Sequence, residues 1–220
     1  MADIRTTGVL DDFNRANETP LSGGGNWSLT DSVYEGGNAM VLLNNKATQT
    51  GGTSRDDSYW VSQFVPSSGQ EVEVWGRPAD GGAGGLWWML DLWKVAGGAN
   101  TVSGYRFLND AGIGQQFYML RIDNGSQNVT QGGAGGFANA DADNYIMLLR
   151  RNGGDVEGWF SSDNAANFSL VASITDSTYT GAFYVGLGIR DVSGSQINSW
   201  DVIGGGVRRH RTQIYRWVTN

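Results

Sequence analysis

The sequence predicts an all-β fold, a two-sheet antiparallel β-sandwich, on three observations. No stretch carries apolar residues at helical spacing, whereas short alternating runs bounded by Gly, Asn, Asp and Ser recur throughout. The 34 Gly against 3 Pro read as turns, because 9 Trp, 8 Tyr and 8 Phe supply far more apolar surface than a disordered chain carries. With no cysteine, neither a disulfide framework nor a thiolate metal site can form, so packing and hydrogen bonds must hold the fold.

Taken in order, eleven runs read as strands: 39–43, 59–65, 70–77, 86–93, 104–109, 116–122, 145–150, 156–161, 168–174, 182–190 and 197–202. In the third, Val72 and Val74 alternate with Glu71 and Glu73, one face apolar and one face wet. In the fourth, Leu86, Trp88, Leu90 and Leu92 form a core face; Trp87, Met89, Asp91 and Trp93 form a mixed one. The same alternation sets Arg106, Arg121, Arg150, Trp159 and Arg190 opposite the more apolar set of their strands. Between runs, Asp123-Asn124-Gly125 and Arg151-Asn152-Gly153-Gly154 suit tight hairpins, because Asn and Gly reach positive φ. Gly-Gly-Ala-Gly-Gly occurs twice, at 81–85 and 132–136, without the Lys-Ser/Thr of a phosphate loop, so both copies read as flexible connections. Many short strands at such spacing indicate a sandwich or barrel in one domain.

The formal charge is −7, which argues against nucleic-acid binding, where a basic face must replace counterions. Residues 207–220 hold four arginines and no acid, a basic tail on an acidic body. With its Tyr215 and Trp217, this tail reads either as a docking segment for a partner subunit, with Arg208 and Arg209 at its start, or as a segment lying on its own domain's acidic surface. Nowhere do about 18 apolar residues run together, and residues 1–10 lack a basic region followed by an apolar one, so neither a membrane partner nor a secretory signal is expected.

Trp, Arg and Asp together on an outer sheet face are the chemistry of a sugar-binding groove. Candidate carbohydrate-binding residues are Trp87, Asp91, Trp93, Arg106, Arg121 and Trp159; the other reading is that large side chains simply cover an exposed sheet.

Leu10-Asp11-Asp12-Phe13-Asn14-Arg15-Ala16-Asn17, then Pro20-Leu21 and Asn26-Trp27, resembles the opening of concanavalin A-like lectin/glucanase domains of the laminin-G-like type. Asp176-Ser177-Thr178-Tyr179, Gly181, Val185-Gly186-Leu187-Gly188 and Ser199-Trp200-Asp201-Val202 resemble their closing pattern. The resemblance implies a jelly roll over 9–206, preceded by an N-terminal arm at 1–8 and followed by the tail at 207–220. It also implies two contexts: modules appended to bacterial secreted enzymes, and structural proteins of bacteriophages. The expectation drawn from it is a non-enzymatic virion component, minor tail or capsid-surface, assembled in the host cytoplasm. Its partners would be other virion subunits and a host cell-wall or surface glycan, with homo-oligomers allowed. A free carbohydrate-binding module is the alternative, and a weak glycoside hydrolase a third.

Glucanases of this fold present carboxylates as E-x-D-x-x-E. The nearest match, Glu71-Val72-Glu73-Val74-Trp75-Gly76, puts glycine where the acid/base must stand. Retaining hydrolysis needs a second carboxyl about 5 Å from the first; Glu73 with Glu157 is a remaining pair without a motif. The lone His210 lies in the tail, away from any Ser/Asp set. No cofactor is expected, although calcium, with its oxygen ligands, is the one metal the residue inventory permits. The resemblance would bring Asp12 and Asp201 together at the joined termini, and Asp141 and Asp143 form a second loop cluster.

Overall fold

The computed structural model describes residues 5, 7–29, 38–49, 55–68, 70–79, 86–96, 101–111, 115–133, 135–137, 144–191 and 199–209. Within them the chain forms fifteen strands and no helix. These are β1 (Val9–Asp11), β2 (Trp27–Leu29), β3 (Val41–Leu43), β4 (Lys46–Thr48), β5 (Arg55–Trp60), β6 (Gln70–Ala79), β7 (Leu86–Val95) and β8 (Ser103–Asp110). They continue with β9 (Gln116–Asp123), β10 (Ser126–Gly132), β11 (Ile146–Asn152), β12 (Asp155–Ser161), β13 (Ser169–Thr175), β14 (Tyr184–Asp191) and β15 (Ser199–Arg209).

Two antiparallel sheets face each other. One has eight strands in the order β13-β12-β11-β6-β15-β4-β3 with β1 against β15; the other has seven, β10-β9-β8-β7-β14-β5-β2. The alternation read from the sequence sorts the faces. Val72, Val74, Met147 and Leu149 from the first sheet meet Trp88, Leu90, Leu92, Phe107, Leu187 and Ile189 from the second in one core, all at 0 % exposure. Both expected hairpins form, β9–β10 through Asn124 and Gly125 at φ 49° and 75°, and β11–β12 through Gly153 at φ 67°.

Several elements differ from the expected runs. The run at 59–65 ends as a strand at Trp60; Phe64 is apolar because it packs on the core and bridges Phe183, outside any ladder. β10 was hidden by its polarity, for it is an exposed edge strand with no core face to enforce alternation. β1, β2 and β4, three residues each, are too short to show a period. β15 runs on through Arg209, so the first residues of the basic tail belong to the sheet.

The second Gly-Gly-Ala-Gly-Gly copy is not a loose connection where it is described. Gly133 and Gly136 pack so tightly against the backbones of Val171 and Gln115–Gln116 that a Cβ would collide at either. The first copy lies outside the described residues.

The opening motif is a clasp. Asp11 accepts hydrogen bonds from the Phe13 N–H (2.8 Å), Arg15 Nη1 (2.6 Å) and Trp27 Nε1 (2.7 Å). Glu18 accepts from Arg15 Nε (2.7 Å) and from the Ser22 and Gly23 N–H groups (both 2.8 Å). The Arg15 hydrogen bond is the main reason that the Glu18 carboxyl is held down at about 2. The closing motif has the same character: Asp176 accepts from Tyr105 Oη (2.8 Å), the Thr178 N–H (2.7 Å) and Arg121 Nη1 (2.6 Å). Trp200, wholly buried, donates Nε1 to the Gly188 carbonyl at 3.2 Å.

Candidate carbohydrate-binding face

On the side of the seven-stranded sheet away from the core, ladder pairing sets Leu120, Arg106, Asp91, Gly186 and Tyr59 in one cross-strand row. One step along, Trp93 stands between Gly104 and Tyr184; two steps the other way, Trp87 stands between Asp110 and Arg190. The Arg106 guanidinium grips Asp91 through Nε (2.7 Å) and Nη2 (2.9 Å) and lies 5.1 Å from the Trp93 ring centre. Met89, Trp93, Val102, Leu108, Leu120 and Ile122 pack into a second cluster around this pair.

The expected platform is therefore corrected in several respects. Asp91, Trp93 and Arg106 do lie on this face, but at 0, 1 and 1 % exposure they are its buried floor and cannot touch a ligand there. An ion pair in an apolar layer survives only with such bidentate geometry. Arg121 is on the other side of its strand, opposite Tyr105, bonded to Asp123 and Asp176 at the end of the sandwich. Trp159 belongs to the eight-stranded sheet, and Arg150 covers its ring at 4.8 Å. Of the six candidates, Trp87 alone is both on this face and partly accessible, with one ring face under Arg190 at 4.4 Å.

What sequence reasoning missed are Tyr59, Tyr118 and Tyr184, half-buried against the same cluster as Trp87. Tyr59 and Tyr184 meet edge to face at 5.3 Å. Their signal was present in the alternation with Ser58, Phe117 and Val185.

Glu71, Glu73 and Glu157 do not form the carboxylate pair of a glucanase, and Gly76 shows why. Gly76 shares the inner side of β6 with Val72 and Val74, and a Cβ there would sit 2.7 Å from the Trp200 ring, while Glu71 and Glu73 face outward. An acid at 76 would point into the core, away from both glutamates. Glu73 and Glu157 lie in one row with Arg150 between them, their backbones about 10 Å apart at ordinary strand spacing. Burial alone would push Glu157 up, but hydrogen bonds from Asn152, Trp159 and Arg150 outweigh it and hold the carboxyl below its usual range. Held ionised in this way, Glu157 is not a poised proton donor.

For a metal, Asp12 is exposed and accepts from the Asn14 N–H at 3.1 Å, while Asp201 pairs with Arg77 at 3.5 Å. Among the described residues no three His, Cys, Asp or Glu side chains converge as a metal site; Asp141 and Asp143 lie outside them. Of the docking residues, Arg208 is corrected: it is 5 % exposed, with Nη2 donating to the Arg151 carbonyl at 2.6 Å. Arg209 is exposed; Tyr215 and Trp217 lie outside the described residues.

No protein-family model matches the chain, and no curated protein resembles it in sequence. Solved structures do resemble it. A legume lectin-like domain from Entamoeba histolytica superposes with a TM-score of 0.61 at 12 % identity, covering 90 % of this chain and 98 % of that one. The fold is a legume lectin-like jelly roll. The VIP36 exoplasmic/lumenal domain in its Ca2+/Man3GlcNAc-bound form gives 0.60 at 12 % identity over 83 % of each chain. The potassium-bound carbohydrate recognition domain of Emp46p gives 0.61 at 10 %, covering 90 and 95 %. At such identities the likeness extends to the concanavalin A-like jelly roll and not to individual residues.

Proposed function

We propose that this lectin-like domain binds glycans, without catalysis, on the outer face of its seven-stranded sheet. The observation that carries the reading is the grouping of Trp87, Tyr59, Tyr118 and Tyr184, all partly accessible, over one rigid floor locked by Asp91 and Arg106. Aromatic edges and faces cover the apolar side of a pyranose, and the tyrosine hydroxyls and Arg190 are placed to bond its hydroxyls. The VIP36 exoplasmic/lumenal domain, solved in Man-bound and Man3GlcNAc-bound forms, supplies the first ligands to try.

Calorimetric titration with Man3GlcNAc, alongside a glycan array, tests this. The expected outcome is saturable binding weakened about tenfold, or about 1.4 kcal/mol, by Trp87→Ala or Tyr184→Ala. Trp159→Ala, on the opposite sheet, should leave it unchanged. Binding to no glycan on the array would overturn the proposal.

A second reading makes the domain a bacteriophage virion component, assembled in the host cytoplasm and displaying this face to a host surface glycan. It is supported by the exposed Arg209, where the four-arginine tail leaves β15, and by one of the two contexts that the motif resemblance to concanavalin A-like domains implies. Particles purified without the chain, or unaffected by truncation after Arg209, would count against it and leave the free binding module.

A further inference from the structure

β15 is eleven residues long and carries three consecutive glycines, Gly204-Gly205-Gly206. Glycine weakens a strand interior, so a run of it marks a place where another backbone comes close. That backbone is the N-terminal segment. β1 pairs alongside β15 through Val9 and Gly204, and the Gly8 carbonyl accepts from the Gly205 N–H at 3.2 Å. Upstream of Gly8 the chain crosses the bare outer side of β15 to reach β6. A Cβ at 204 would lie 2.6 Å from the Gly8 oxygen and would also strike the Trp75 ring.

Beyond the crossing, the segment is read group by group. Thr7 gives both its N–H (3.0 Å) and its hydroxyl (2.9 Å) to Glu73 Oε1, a carboxylate at 0 % exposure. Trp75 Nε1 donates back to the Thr7 carbonyl at 3.2 Å, and the Arg5 guanidinium stands 4.6 Å from the centre of the Trp75 ring. Backbone pairing for affinity and side-chain reading for selectivity are how an added strand is recognised.

We infer that the Gly204–Gly206 face, walled by Glu73 and Trp75, is a strand-acceptor groove selective for the pattern Arg-x-Thr-Gly. We infer further that a second copy of this chain can supply the occupant. The chain itself carries the matching Arg5-Thr6-Thr7-Gly8, and the Thr7 contacts join residues 66 to 68 positions apart. Donor and acceptor therefore meet through tertiary contacts, which two copies can make as well as one. A short tether gives an effective concentration on the order of millimolar, so the segment of the same chain fills the groove in dilute solution. Exchange between copies follows when the groove's own segment is impaired.

Complementation tests this with full-length chains. Arg5→Ala/Thr7→Val keeps the groove and spoils the segment; Glu73→Gln keeps the segment and spoils the groove. Light scattering should find each variant alone at one chain mass, and their mixture at about 0.5 mM enriched in a species of twice that mass. If the donor variant does not fold, a labelled peptide of residues 1–11 takes its place and should bind the acceptor variant saturably; if the acceptor does not fold, Thr7→Val alone replaces it. A mixture that stays at one chain mass, or a peptide that fails to bind the folded acceptor at millimolar concentration, overturns the inference.

Discussion

Asp91 and Arg106 face each other across β7 and β8 with both side chains out of solvent and two hydrogen bonds of 2.7 and 2.9 Å between them. Deleting one partner strands the other charge in an apolar layer. Asp91→Ala should cost about 3–5 kcal/mol in chemical denaturation, and Asp91→Ala/Arg106→Leu should be less damaging than the two single losses added together. A loss under about 1 kcal/mol for the single variant would contradict the pair's role as the locked floor of this sheet face.

Acid should weaken the fold in a defined window. The Glu18 and Asp176 carboxyls are both held at about 2; for Asp176, hydrogen bonds from Thr178, Tyr105 and Arg121 overcome a burial effect that pushes the other way. A group depressed in the folded state contributes stability above its unfolded value near 4 and loses it as pH falls toward 2. Denaturation midpoints should thus fall between about pH 4.5 and 2. Glu18→Gln/Asp176→Asn should start lower at pH 7 and decline less steeply through that window; a parallel decline would refute the assignment.

Restoring the missing glucanase acid should fail structurally. A side chain at 76 meets Trp200 in a close-packed core, so Gly76→Glu should destabilise by more than about 3 kcal/mol and hydrolyse no β-glucan. A folded, active variant would show that strand β6 can turn this position outward.

The two neighbouring arginines at the end of β15 should separate cleanly. Arg208→Ala removes a buried cation that donates to the Arg151 carbonyl at 2.6 Å and lies 3.8 Å from Glu73, at a cost of about 2–3 kcal/mol. Arg209→Ala, exposed, should stay within about 0.5 kcal/mol, as thermal or chemical melts would show.

Alternation told which side of a strand each residue takes, and that much held: Trp88, Leu90 and Leu92 are core, and Asp91 and Trp93 face away from it. It could not tell that the far side is packed as well, because a period of two separates faces without saying what covers them. Trp87 and Trp159 looked like one platform only because strand order is absent from a local pattern; β7 and β12 lie in different sheets. The motifs at both ends were legible, but their acids are spent on internal hydrogen bonds, which spacing alone does not reveal. Tyr59 was obscured by a strand boundary set too late, since apolar Val61 and Phe64 extended the run past its true end.

Six of the nine tryptophans fall into three environments: Trp88 and Trp200 between the sheets, Trp87 and Trp93 outside one, Trp75 and Trp159 outside the other. The molecule thus carries its own optical reporters, one set for each surface. Replacing the residues of one set by phenylalanine would let ligand arrival on the first face and displacement of the N-terminal segment on the second be followed as distinct emission changes, with no label attached.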